Sequence, residues 1–583
     1  MKNHRLFALV AAVLMMAGLV LTGCSGTTTP SAAPSASAAT EASTSASAEA
    51  SASAEASKPA SGEVQTFTMF EGSPLTTTTP AWDTAIGKKI TELTGVRVDV
   101  EYLVGQDIMT KANLMTASGE YPDFVGAADN SGIFIAANAF IPLDDLIEKY
   151  GTNIKKIYRP SELALSALQN GKIFCVASNR PTLDNLYPAA GYYMNYDVLK
   201  ANNFPVVKTI TQYKDLIVDY MKKNPQYNGA NNIGFTIPTE AARVSALQYG
   251  GARFLGGYPN DGPTCVDQQT LVAKMNMSQA FTKDFLKFMN ELWNLGYMDK
   301  EAFMQTNDQY LAKVSSGNVI GLYDQRGQIV NAIGAMDKDA SKNDRTLVAF
   351  PVVLDGVKNE YYRGPYAFSV MGISISTSCK DPEAAFKFLD RMAADDVQKL
   401  NAWGVEGEDY TIVDGKFTRT KEQWEKSFDV DYTREKGIGQ FNNFPRREQT
   451  DNEQYAKFED GNWVNPALNQ EYNDVRYKDY EKEILKNYNV KTFCDFFAPA
   501  YPARYQPGWA ARQQMPQDSP EFTAVQKALD LATEYHAKII QAKPDQFEKL
   551  WTEYQGKLAA VPALSDYETK VTKIIQDSAQ YYK

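Results

Sequence analysis

From Val64 onward the sequence predicts an α/β fold, on three observations. Apolar residues alternate between period 2 and helical spacing, capping residues and glycines punctuate the changes, and the stretch to Lys583 is long and apolar enough for two large lobes. Val64 to Met69 reads as a first strand leading into the loop Glu71-Gly72-Ser73-Pro74. Ile86, Ile90 and Leu93 then fall at helical spacing, and Gly95 sits where a helix C-cap belongs. Val96, Val98, Val100 and Tyr102 alternate with Arg97, Asp99 and Glu101, which makes a strand with one buried face. Strand, helix, strand in that order implies a parallel unit. Further on, Thr209 and Gln212 form a capping box ahead of Tyr213, Leu216, Ile217, Tyr220 and Met221 on one helical face. Asp381 and Pro382 start a helix that turns Ala385, Phe388, Leu389 and Met392 inward. No internal repeat is evident.

The N-terminus carries a different signal. Lys2 and Arg5 precede an apolar run from Leu6 to Leu21, and Leu21-Thr22-Gly23-Cys24 follows, giving the charged, apolar and small-residue zones of an export signal. The run is too short for a permanent span, which needs about 20 apolar residues. The stretch resembles the lipobox of bacterial lipoproteins, which implies a signal peptide over 1–23 and a lipidated Cys24. After Cys24, residues 25–63 are almost entirely Ser, Ala, Thr and Gly with scattered Pro and no large apolar residue, a composition that cannot offset chain entropy, so 24–63 reads as a lipidated cysteine and flexible tether.

The chain carries −11 at neutral pH, and loss of Lys2 and Arg5 with the signal takes it to −13, which speaks against nucleic acid as a partner. Beyond Cys24, Cys175, Cys265, Cys379 and Cys494 are far apart without a CxxC pair. That excludes a short-spaced zinc motif and leaves open two disulfides or four buried thiols. The two histidines, His4 in the signal and His536 in a C-terminal helix, supply neither a Ser-His-Asp triad nor a His-rich metal centre. Two carboxylates suffice for a glycosidase, so a secreted glycan-cleaving enzyme stays as the alternative to a binding protein. No ATP-binding loop of the GxxxxGK[ST] type is present, and no cofactor is implied.

Leu114-Met-Thr-Ala-Ser-Gly119-Glu-Tyr-Pro122-Asp123, Phe140-Ile-Pro-Leu143-Asp-Asp-Leu-Ile-Glu-Lys-Tyr150-Gly, Gly171-Lys-Ile-Phe174 and Tyr193-Met-Asn-Tyr-Asp197-Val-Leu199 occur in that order. Leu292-Trp-Asn-Leu-Gly-Tyr-Met298-Asp, Gly404-Val-Glu-Gly-Glu-Asp-Tyr410 and Phe547-Glu-Lys-Leu-Trp551-Thr-Glu-Tyr554 follow. This succession resembles the family 1 extracellular solute-binding proteins of ABC sugar importers, most closely the large lipoprotein branch of Gram-positive bacteria. The resemblance implies a two-lobed periplasmic-binding-protein-like fold with discontinuous lobes around a hinged ligand cleft. Mapped here, lobe one is about 64–176 and 372–430, lobe two is about 190–365, and the helices of 431–583 stay unassigned. The crossings fall near Ile173 to Tyr193 and Tyr366 to Ser376. The implied function is capture of a carbohydrate, with oligosaccharides favoured, by a monomer held on the extracellular face of the membrane by lipid and its delivery to a permease.

Sugar sites combine aromatic faces with a few carboxylates, amides and guanidiniums, on loops at strand C-termini. That selects Glu71, Trp82, Asp123, Asp129 and Asn130 on lobe one and Tyr323, Asp324 and Arg326 on lobe two, where relatives present a tryptophan near Tyr323. Arg363 and Trp403, with Trp463 and Trp509, form a second group. Some relatives carry a calcium loop after the helix corresponding to 211–223. Here Asn224-Pro-Gln226-Tyr-Asn228-Gly229-Ala-Asn231-Asn232 contains no carboxylate, so no tight calcium site is expected.

Overall fold

A computed structural model describes residues 64–75, 81–104, 108–160, 162–163, 171–177, 186–267, 269–357, 372–447, 453–497, 507–513, 515 and 518–579. The signal, Cys24 and the tether lie outside these residues, as does Arg363. In chain order the strands begin with β1 (Gln65–Leu75), β2 (Val96–Val104), β3 (Phe124–Gly126) and β4 (Val176–Ala177). Next come β5 (Ala190–Asn195), β6 (Gln226–Tyr227), β7 (Ala230–Asn231), β8 (Thr264–Val266) and β9 (Ala273–Met275). The last are β10 (Gly321–Gln325), β11 (Leu347–Phe350), β12 (Gly372–Ile375), β13 (Thr411–Val413) and β14 (Lys416–Thr418).

Two sheets organise the chain. The first has the order β2-β1-β3-β12-β4, with β1 parallel to β2 and β3 and β12 antiparallel to β3 and β4. The helix Ala85–Thr94 joins β1 to β2 as the alternation predicts; Thr84 caps its start by accepting from Gly87 N, and Gly95 closes it in the left-handed region at φ 70°. Leu93 is exposed, so Ile86 and Ile90 carry the buried face. β1 runs on to Leu75 through a register shift between Glu71 and Leu75, where a loop is expected at Glu71. A bulge absorbs the Gly72-Ser73-Pro74 segment without ending the pairing. One face of this sheet packs on Trp82, Ile86, Ile90, Phe386 and Phe388, the other on Phe134, Phe140 and Ala112.

The second sheet is antiparallel, in the order β10-β5-β11. The chain passes to it between β4 and β5 and returns to the first sheet between β11 and β12. Its core gathers Tyr192, Tyr213, Phe235, Phe285 and Leu322 and also takes in Ile484, Phe493, Ala528, Ile539, Tyr554 and Tyr567 from the C-terminal helices. Before that, Phe441 and Phe444 join the first core, and Trp403, Tyr410, Phe417, Phe458 and Val464 make a small core of their own. The chain therefore crosses a third time, leaving the first core and this small core for the second between Val464 and Tyr477. The capping box at Thr209 and Gln212 and the Asp381 cap both form as the sequence predicts. All four described cysteines are buried as thiols without a disulfide.

Candidate functional site

In the parallel part of the first sheet the C-terminal ends of β1 and β3 share one rim, with Glu71 in register with Gly126. Glu71 is 3% exposed, and Asn443 donates its Nδ2 to Oε2 at 2.5 Å. Gly126 leaves room for that carboxylate, since a Cβ there would stand 3.1 Å from Oε2. Burial, with the Glu71 charge beside it, pushes the Tyr102 phenol above its ordinary range. Beyond Gly126 the chain turns through Ala128 at φ 46° into a short 3-10 turn, Ala128–Asn130. Asn130 then precedes the helix Ser131–Ala136 without capping it through its side chain. The Asp129 side chain is not among those described.

Two other lobe-one candidates sit elsewhere. Asp123 lies at the opposite end of β3, where it accepts from both Thr68 N and Thr68 Oγ1 at 2.8 Å and so ties β3 to β1. Trp82 is 4% exposed, with its ring centroid 5.1 Å from Phe441, 6.0 Å from Phe444 and 6.1 Å from Phe388. This corrects the expectation of a cleft-facing ring: aromatics that arrive more than 300 residues later in the chain seal it into the core.

At the end of β10 a second charged group is built. Asp324 is 3% exposed; it pairs with Arg243 Nη2, and Tyr310 OH and Gln325 N each donate to it at 2.8 Å. Burial pushes its carboxyl up to about 6 against the opposing pull of the Arg243 guanidinium. Arg243 also donates to Asn307 Oδ1, and its guanidinium carbon stands 5.0 Å from the Tyr310 ring. Arg326 turns toward other neighbours, its guanidinium 3.4 Å above the Tyr187 ring, while Tyr187 OH donates to Glu481 at 2.7 Å. Tyr323 is a core residue: 3% exposed, 5.1 Å from Tyr192 and 5.6 Å from Phe254, with its phenol pushed up to about 12 by burial. The expectation of a stacking platform at Tyr323 is corrected on that ground.

Of the second group, Trp403 is fully buried beside Tyr410 and Phe417 and donates Nε1 to Trp463 O at 2.9 Å, so it too is a packing residue rather than a cleft ring. Trp463 is half-buried under Lys457, and Trp509 is half-buried against Gly262. His536 is buried, its Nδ1 3.1 Å from Leu247 O, and burial lowers its pKa to about 4.

The segment of 224–232 folds as the β6–β7 hairpin, with Asn228 at φ 49° and Gly229 at φ 78°, the two left-handed residues a tight hairpin turn requires. Its amides serve the protein: Gln226 Nε2 donates to Asn231 at 3.0 Å and Asn232 Nδ2 to Asn224 O at 2.8 Å. The buried Arg345 donates to Asn232 Oδ1 at 3.1 Å, to Gly317 O at 2.7 Å and to Tyr220 OH at 2.8 Å. Among the described residues no group of three or more His, Cys, Asp or Glu side chains is gathered in metal-binding proximity.

A polar nest in the second core carries no sequence-based expectation apart from Tyr323 and Trp509. Arg253 and Asp261 are 3% and 1% exposed, with Tyr249, Tyr323, Arg512 and Tyr567 close enough to act on one another electrostatically. Asp261 Oδ1 accepts from Gly508 N at 2.8 Å, and burial pushes its carboxyl up to about 7. The glycine- and aromatic-rich run from Gly250 to Gly262, interrupted by one arginine and one aspartate, was the available signal.

Residues 85–405 match the family described as bacterial extracellular solute-binding protein. A polygalacturonan/rhamnogalacturonan-binding protein of Bacillus subtilis is 23% identical over 60% of this chain and 68% of its own length. The lipoprotein LipO of the same organism is 23% identical over 57% of this chain and 65% of its own. The aligned part thus spans about two thirds of these relatives. Among solved structures, the ABC-transporter substrate-binding protein FusA of Streptococcus pneumoniae in complex with kestose superposes with a TM-score of 0.60 over 89% of this chain and all of that one, at 20% identity. That likeness is one of fold.

Proposed function

The chain belongs to the bacterial extracellular solute-binding proteins, and from that premise we propose that it captures an oligosaccharide outside the cell and delivers it to the permease of an ABC importer. The observation that carries the proposal is the family match over residues 85–405 on a chain whose two sheets each end in a buried, charged group, Glu71 on one and Asp324 with Arg243 on the other. Sugar hydroxyls are both donors and acceptors, and fixed carboxylates and guanidiniums of this kind recognise them at little cost in ordering.

The two cores act as the two lobes, lobe one built from about 64–176 and 372–430 and lobe two from about 190–365. The helices from Asp479 onward move with lobe two, because they share its core. Closure follows when ligand contacts favour the closed state. Glu71, Asn130, Asp324 and Arg326 are the described candidates retained for ligand contact, and Asp129 and Arg363 stay candidates on the sequence alone. Cys24 carries lipid at the membrane, each acyl methylene contributing about 0.8 kcal/mol, and the stretch of 25–63 lets the domain stand off and reach its permease.

A thermal-shift screen of neutral and acidic oligosaccharides tests the proposal. A specific ligand raises the melting temperature in proportion to RT ln(1 + [L]/Kd). Absence of a shift with every oligosaccharide at millimolar concentration refutes carbohydrate capture.

A further inference from the structure

We propose that the polar nest around Arg253 and Asp261 is a sugar-binding subsite of this protein, taking a terminal residue of the oligosaccharide; this rests on the carbohydrate-binding function proposed above. The floor is made of three side chains that each keep an unused polar atom. Arg253 donates Nη1 to Tyr258 O at 2.8 Å but leaves Nε without an acceptor. Asp261 spends Oδ1 on Gly508 N and leaves Oδ2 without a donor. The Tyr567 hydroxyl, fully buried, is likewise without a partner. Buried donors and acceptors are normally paired, because an unpaired one forfeits its hydration. Here one donor, one acceptor and one group able to do either lie in a single nest.

The rim has the other half of a sugar site. Tyr249, Trp509 and Arg512 are its half-buried members. Trp509 lies against Gly262, where an added Cβ would stand 3.1 Å from its ring. Arg512 lies 5.7 Å from that ring. Partly exposed aromatic rings beside buried charged and hydroxyl groups suit a pyranose or furanose, whose faces are apolar and whose edge carries hydroxyls. A carboxylate and a guanidinium side by side bond adjacent hydroxyls from opposite polarities, the carboxylate accepting and the guanidinium donating. The short strand β8 and the turn before it are held by the helix Pro507–Gln513 through the Gly508 bond, so the floor is positioned by two segments far apart in sequence.

The test uses the full chain with kestose and a galacturonate trimer as probes, and Kd measured by equilibrium dialysis for the parent and for Tyr249→Ala, Trp509→Ala and Asp261→Asn. The subsite predicts that a probe bound by the parent is bound about tenfold more weakly by each rim variant, the usual size for loss of one aromatic anchor, and more weakly still by Asp261→Asn. The rim variants remove partly exposed rings, so they report on binding independently of the change in stability that Asp261→Asn brings. A parent that binds a probe with rim variants indistinguishable from it overturns the subsite and leaves the proposed function standing. A parent that binds neither probe nor any longer neutral or acidic oligosaccharide overturns both.

Discussion

Replacing Trp82 by alanine separates a core ring from a cleft ring. The indole is 4% exposed and lies among Phe388, Phe441 and Phe444. A buried large aromatic hides roughly 150–250 Å², which at about 25 cal/mol per Å² is about 4–6 kcal/mol as an upper bound. Measured truncations of such rings cost about 3–5 kcal/mol, cavity included. The first core should therefore lose about 3–5 kcal/mol. Amide hydrogen exchange reads this core by core. Protection should fall in the helices Ala85–Thr94 and Pro382–Met392 and hold in Ala280–Asn294, while oligosaccharide affinity of the folded protein stays within twofold. A stability loss below about 1 kcal/mol together with a tenfold loss of affinity refutes the core placement.

Other perturbations follow from particular contacts. Because burial holds the Asp261 carboxyl near 7, above its ordinary 3.8, the folded state binds the extra proton. Its stability contribution is thus full below pH 3.8 and lost as pH rises through 7. Urea titrations should find Asp261→Asn equal to the parent near pH 4 and more stable at pH 8, by up to about 4 kcal/mol; equal slopes across that range contradict the burial. Arg345→Met should cost about 2–6 kcal/mol by stranding Gly317 O and Asn232 Oδ1 beneath the β6–β7 hairpin, whereas EDTA should leave the parent's melting temperature unchanged. A melting temperature lowered by chelator and restored by calcium refutes the latter. Cys24→Ala should release the protein to the medium, and membrane retention of that variant refutes the lipid anchor.

Local patterns were legible and long-range partners were not. The caps at Thr209, Asp381 and Gly95 and the alternation from Val96 to Tyr102 depend on residues a few positions apart, so they could be read directly. The direction of an aromatic at a strand end depends on what meets it. Tyr323 and Trp82 have the composition of cleft rings, and Tyr192 with Phe254, or Phe441 with Phe444, make them core rings. Asp324 was legible as a charged residue at the end of a strand, but its partner Arg243 is 81 positions away and carries no local mark. The amphipathic C-terminal helices showed their apolar faces, yet an apolar face does not say which of two cores it covers. Arg253 and Asp261 escaped notice because charged residues in a glycine-rich run read as a solvated loop until burial is seen.

Isothermal titration of the full chain with the oligosaccharide that shifts its melting temperature most tests the central claim, capture without cleavage. The account predicts a saturable heat with one ligand per chain that returns to baseline after each injection. Steady heat that continues after injection, the signature of turnover, or the absence of any heat with a ligand in large excess, contradicts it.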